Sequence, residues 1–307
     1  MREMKNHHPI DLASVIDARP ISLFQWRVVG LCAVVAILDG FDTQAIAFVA
    51  PIVSEEFGIA KDEMGRVFAA ALLGLMIGAF GFSPVADRIG RKPVIIISCA
   101  IMGVFCLLTA TASNTEQLLL YRFVTGLGLG GAMPNINTLT SEYAPARSRA
   151  FLMTLMFIGF PLGAVLGGIL STYLIAWLGW QSVFWLGGAA PILLIFILIP
   201  ALPESIRFRA MRNPSDPRIG AALSKIGPSR KQVSGAHVQT NAQTATSGSI
   251  FTLFSGSRRT GTLLIWVVFF SNLLMMYTLM NWLPAVMRES GLALNQAIIT
   301  TVIFNLG

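Results

Sequence analysis

The chain has 307 residues, of which 54% are hydrophobic and only 12% charged, with 28 glycines and a mean hydropathy of +0.69. Soluble domains carry roughly 25% charged residues, so half that share leaves too little polar surface for a water-facing globule, which excludes cytosolic enzymes and secreted disulfide scaffolds. A net charge of +7 would suit nucleic acid, yet membrane proteins are also basic where cytoplasmic loops gather Lys and Arg, so the placement of charge decides.

A bilayer core of roughly 30 Å needs about 20 apolar residues as helix, because lipid offers no partner to an unpaired amide. The sequence predicts seven such spans, near Val28 to Val49, Met64 to Ala86, Val94 to Ala112, Leu118 to Thr140, Ala150 to Tyr173, Ser182 to Leu202 and Gly261 to Leu283. An eighth apolar run, from near Leu294 to Gly307, is too short to cross, which reads as a C-terminally truncated chain. The N-terminal tail, residues 1–27, is polar and precedes no small-residue cleavage site, so it is not read as a removable signal. Of the 22 Lys and Arg, 18 fall in alternate connections and 2 in the others, with Arg66 and Arg122 inside spans. The positive-inside rule therefore places the N-terminus in the cytoplasm and explains the charge without nucleic acid. Cys32, Cys99 and Cys106 lie in apolar runs and read as small hydrophobes, with no metal, disulfide or cofactor role.

These spans predict an all-α polytopic membrane protein: a six-helix N-terminal transmembrane bundle over residues 28–202, a cytoplasmic linker over 203–260, and an incomplete C-terminal bundle over 261–307. The linker is rich in Pro, Ser, Thr, Gln and Gly and is expected to be flexible. When the second part of the chain is slid over the first, Pro51, Val53, Glu56, Gly58 and Ala60 match Pro284, Val286, Glu289, Gly291 and Ala293 at one offset, and Asn272 falls beneath Asp39. Two parallel six-span repeats would give this pattern, and repeat arithmetic then leaves about 130 residues beyond Gly307.

Charged side chains inside spans need a reason, since each costs on the order of 3 kcal/mol to insert. Asp39 and Asp42 share a helix face with Thr43, so that face should line a polar cavity where the pair acts as coupled proton sites; a structural hydrogen-bonding pair is the alternative. No histidine competes, because His7, His8 and His237 fall in the tail and linker. Arg122 and Asp42 lie at similar depths, roughly 6 and 10 Å from the outer ends of their spans. Arg122 suits a clamp for an organic carboxylate, an internal salt bridge with Asp42, or a residue snorkelling to the interface. Glu142 ends the same span near Arg147 and Arg149, as a gate or structural pair. Gly126 to Gly131 fits G-x-G-x-x-G, but within a span it serves packing rather than a dinucleotide. Gly126 and Gly130, and Gly159, Gly163 and Gly167, have the four-residue spacing of close helix contacts. Tyr277 and Asn281 share a face that could meet an aromatic ligand, with Trp282 beside them as ligand contact or interfacial belt. No nucleophile and base, metal cluster or phosphate loop points to an enzyme.

The turn Ser83-Pro-Val-Ala-Asp87-Arg88-Ile-Gly90-Arg91-Lys92 resembles the signature of the major facilitator superfamily, with Ser83 where that family usually has Gly. Leu38-Asp39-Gly40-Phe41-Asp42-Thr43, Ala50-Pro51, Gly128 to Pro134, Ser141-Glu142-Tyr143-Ala144-Pro145 and Asn281-Trp282-Leu283-Pro284 are similar, more narrowly, to the aromatic acid to proton symporters. The resemblance implies the major facilitator fold, in a bacterial inner membrane, and import of a 4-hydroxybenzoate-like acid with protons by alternating access. It also implies proton coupling by Asp39 and Asp42, gating by Asp87, Arg88, Gly90 and Arg91, and a need for Arg122 and Glu142. A facilitator for another organic anion or drug, or a non-transporting binding protein or fragment, are the alternatives.

Overall fold

A computed structural model describes residues 10–11, 16–17, 19–214, 216–226, 238–239 and 258–306. Its helices are α1 (Leu23–Phe57), α2 (Lys61–Ile89), α3 (Arg91–Thr109), α4 (Thr115–Tyr143), α5 (Arg149–Phe157), α6 (Gly159–Leu178), α7 (Gln181–Ala201), α8 (Ile206–Arg212), α9 (Pro217–Ile226), α10 (Arg258–Glu289) and α11 (Leu294–Leu306). The described strand pairing is a two-residue parallel ladder, with Ile10 opposite Val238 and Asp11 opposite Gln239. The protein is thus all-α, and each predicted span falls on one helix except the fifth, which falls on two.

Helix ends follow local chemistry. Ser22 and Gln25 form a reciprocal capping box that starts α1, and Gly58, in the left-handed region at φ 62°, ends it. Asn114 caps α4 by accepting from Gln117 N at 2.9 Å. The fifth span is split into α5 and α6 at Ile158, where sequence periodicity gave one helix. Pro161 explains the break: its ring lacks an N–H and crowds the carbonyl of Phe157 four residues back.

Packing is set by glycines and by the centrality of α1. Gly126 and Gly130 of α4 lie against the backbone of α2 at Ala71 and Leu75, while Gly159 and Gly163 of α6 lie against α1 at Ala33 and Ile37. A Cβ at these positions would overlap backbone carbonyls, so the four-residue spacing is a packing device. Residues Asp39 to Ala50 of α1 are all buried, whereas α10 exposes Leu264 to Phe270 almost without interruption.

The described parts of residues 203–260 include two helices where composition leads one to expect a flexible linker. Within them α8 and α9 are helical, and Ile206, Ala210, Ile219, Leu223 and Ile226 are buried in the same cluster as Val28, Cys32 and Tyr143. The apolar residues recur at helical spacing along this polar stretch, which average composition hides. Residues 227–237 and 240–257, with His7, His8 and His237, lie outside the described residues.

The sequence repeat has a structural counterpart. Ile59 N donates to Ser54 O at 2.9 Å, and at the matching positions of the second part Leu292 N donates to Met287 O at 3.2 Å. Both bonds close helices that contain a proline, Pro51 or Pro284, and end at a positive-φ glycine, Gly58 or Gly291. The following helices start at Lys61 and Leu294, which the same offset superposes.

Candidate functional site: a buried ion pair beside a cleft

The mid-bundle site is built by α1 and α4. Arg122 Nη1 and Nη2 donate to Asp42 Oδ1 and Oδ2 at 3.1 and 3.0 Å, and Nη2 also donates to the Asp42 carbonyl at 3.1 Å. The side chains of Arg122 and Asp42 are 1% and 0% exposed, so this fork is closed off from bulk water. The guanidinium also lies 5.8 Å from the Phe184 ring centroid on α7. Of the three roles open to Arg122 from sequence, its side chain takes the internal pair with Asp42 and not the snorkelling one. Arg122 Nε is buried without a described hydrogen-bond partner.

Asp39 stands one turn from Asp42 and is 1% exposed. Its Oδ1 accepts from Thr43 Oγ1 at 3.4 Å, while Oδ2 is buried with no described partner. A carboxylate in that position is costly unless a proton or a further donor reaches it. Cys106 nearby donates its thiol to the Phe184 carbonyl at 3.5 Å and acts as a buried apolar residue.

A small cleft opens beside the pair, lined by Thr43, Ile46, Phe68, Arg122 and Asn281, with Ala71, Leu72, Leu75 and Leu129 completing its wall. Arg122 and Asn281, far apart in sequence, thus border one space. Asn281 Nδ2 donates to the Tyr277 carbonyl at 2.8 Å, which fixes the amide orientation because a carbonyl can only accept. Trp282 stacks edge-to-face on Phe68 of α2, centroids 5.4 Å apart; Phe68 lines the cleft, and Trp282 stands behind it. Tyr277 is partly buried one turn away and is not among the lining residues.

A second cluster sits at the end of the bundle where α1 begins. Arg91 Nη2 pairs with Asp87 Oδ1 at 2.8 Å, and Nη1 reaches Asn135 Oδ1 at 3.5 Å. Glu204, which the sequence reading passed over, organises this end. Its Oε1 accepts from the backbone N–H groups of Arg91, Lys92 and Ser205 at 2.8, 3.2 and 2.8 Å. Two of those donors open α3, where a carboxylate also meets the positive end of the helix. Gly90, at φ 107°, lies so close to the Glu204 carboxylate that a Cβ would overlap it. Glu142 accepts from Ser205 Oγ, and Tyr143 OH donates to the Glu204 carbonyl at 2.8 Å. Gly90, Arg91 and Glu142 therefore converge on Glu204 and Ser205, with Asp87 joined through its pair with Arg91, whereas Arg88 is exposed on the outside of the cluster. The signal that would have found Glu204 is a lone acid just after an apolar span, shortly before a run of arginines.

The described residues thus form a polytopic helical bundle with a fully buried ion pair beside a cleft whose wall is mostly apolar. The chain belongs to the Major Facilitator Superfamily, which it matches over residues 32–307. It is 42% identical over 299 residues to the 4-hydroxybenzoate transporter PcaK of Pseudomonas aeruginosa, covering 97% of this chain and 67% of that one. It is 40% identical to the gallate transporter of Pseudomonas putida, covering 97% of this chain and 66% of that one. The chain thus spans about two thirds of the length of these relatives. Among solved structures, the partially occluded inward-open xylose transporter XylE of E. coli superposes with a TM-score of 0.71 at 19% identity, over 93% of this chain and 68% of that one, which shows the fold. The protein is accordingly a multi-pass membrane protein of a transporter family and not an enzyme.

Proposed function

We infer that the protein takes part in the import of an aromatic carboxylic acid of the hydroxybenzoate kind, by proton symport and alternating access. The membrane is a bacterial inner membrane with the N-terminus in the cytoplasm. The observation that carries this reading is the Asp42–Arg122 pair, fully buried at a cleft that also holds Thr43, Phe68 and Asn281. The names of the relatives, transporters of 4-hydroxybenzoate and gallate, support the substrate class.

The physical logic is exchange of partners. An aromatic carboxylate that engages Arg122 competes with Asp42 for the same fork, and Asp42 left alone in a dry interior needs a proton to remain there. Substrate and proton occupancy are thereby coupled, because each changes the free energy of the other. Asp39, with one oxygen unpartnered, is the second site for a proton. Phe68 and Trp282 supply apolar surface for the ring, Asn281 borders the cleft from α10, and Tyr277 stands one turn from it. The Asp87, Arg88, Gly90, Arg91 and Glu142 cluster serves as the cytoplasmic gate, with residues 28–202 moving as one bundle and 261–307 belonging to the other.

Uptake of labelled 4-hydroxybenzoate into vesicles carrying the protein, under an imposed proton gradient, tests this directly. Accumulation should collapse with a protonophore and in Asp42→Asn. Gradient-driven accumulation that survives in both Asp39→Asn and Asp42→Asn would sink the proton assignment, and binding without accumulation would sink transport.

A further inference from the structure

At the start of α1, two cations converge on one aromatic ring. Arg27 Cζ lies 5.4 Å and Lys225 Nζ 5.6 Å from the centroid of Phe24. The ring is held in place by Tyr143, which meets it edge-on at 5.7 Å and is itself buried and bonded to Glu204. Both cations are exposed, and no ion pair joins either to an acid among the described residues. Asp17, the described acid of the preceding segment, accepts instead from Ala146 N at 2.6 Å. Two like charges gathered without an acid repel each other, and the cation–π attraction of roughly 0.5–1 kcal/mol at an exposed site offsets this only in part.

The neighbouring surface says what would complete the pair. Leu23 is 87% exposed and Trp26 39% exposed, and they stand beside the cations where α1 enters its apolar stretch. Apolar and indole side chains next to Lys and Arg at the end of a spanning helix suit the headgroup level of a bilayer. Lys225 belongs to α9, whose Ile219, Leu223 and Ile226 are buried against the bundle, whereas Arg27 belongs to α1. An anion seated between them would touch two elements that are far apart in sequence.

We propose that Arg27 and Lys225, on the Phe24 platform, bind the phosphate of an anionic phospholipid, and that this lipid clamps α9 to the start of α1. The site stands apart from the cleft and the Asp42–Arg122 pair. Charge attraction drives the binding, and the acyl chains pack along Leu23 and Trp26.

The test uses the intact protein in bilayer discs of phosphatidylcholine with phosphatidylglycerol in equal parts. Native mass spectrometry after gentle release reads retained phosphatidylglycerol, and hydrogen exchange reads protection of 217–226. At about 1 kcal/mol per basic residue near the surface, the double variant Arg27→Gln with Lys225→Gln should retain the anionic lipid about thirtyfold more weakly. It should also lose the lipid-dependent protection of α9. Arg212→Gln, an exposed arginine on α8, should change neither. Equal retention in the double variant overturns the proposal, as does an equal loss in Arg212→Gln, which would mark a diffuse cationic surface. Protection that does not differ between discs with and without phosphatidylglycerol overturns the clamp.

Discussion

Two of the three aspartate–arginine pairs among the described residues, Asp42–Arg122 at 3.0 Å and Asp87–Arg91 at 2.8 Å, lie in opposite surroundings. The first is 0% and 1% exposed and spans two helices 80 positions apart; the second is 67% and 21% exposed and closes within one helical turn's reach along the chain. Their contact geometry is similar, and their energetics are not. Water screens the second pair and solvates either partner if the other is lost, so its contribution is small. In the buried pair neither charge has an alternative, so removing one partner strands the other. A pair of this kind is weak evidence of stability in itself, and strong evidence of a site where charge must be managed.

The sharpest way to break the comparison is Asp42→Asn, which keeps volume and leaves Arg122 uncompensated. It should destabilise the bundle by about 3–5 kcal/mol, read as lower thermal stability in detergent, and abolish accumulation. Gly90→Ala comes next, since a left-handed backbone and the Glu204 carboxylate both oppose a Cβ; the cost should be about 1–3 kcal/mol, read in the same melt. Glu204→Ala leaves three backbone N–H groups without their acceptor and should cost about 1–3 kcal/mol, with faster hydrogen exchange at Arg91 and Lys92. Asp87→Asn, at the exposed pair, should change stability by less than about 1 kcal/mol in the same melt, so any large effect on transport reports a gating role.

The smallest effect concerns the linker. The Arg218 backbone N–H, and then the Arg209 guanidinium at 3.1 Å, hold the Asp216 carboxyl below the usual carboxylate range. Its folded value is depressed, so the stabilisation is present above the ordinary value of about 4 and is lost as pH falls through the folded one. Protection of α8 and α9, taken relative to the intrinsic exchange rate at each pH, should therefore be flat from neutral pH down to about 4 and fall below it.

Much of this was legible along the chain. Apolar runs of about twenty residues dictate spanning helices, since lipid leaves the backbone no other partner. The acids of α1 and Arg122 stood out because charge inside such runs is costly. Legibility failed where contacts are distant or irregular. Glu204 looked like one loop acid among others until the fold placed it on the N-terminus of α3. The break at Ile158 was hidden by continuous hydropathy, and α8 and α9 by a polar average. Asn281 and Trp282 were visible as polar and aromatic residues, but not that they would face Arg122 and Phe68.

The sequence by itself determined that this chain spans a membrane as helices, where most of those helices lie, and that a repeated proline-to-glycine pattern underlies its two parts, because burial, capping and periodicity are local properties. Only the tertiary structure decided that Arg122 takes Asp42 as its partner, that Asn281 shares its cleft, and that Glu204 gathers Gly90, Arg91 and Ser205 around it. Those outcomes depend on which helix faces pack together, and that is fixed by close glycine contacts among several helices at once.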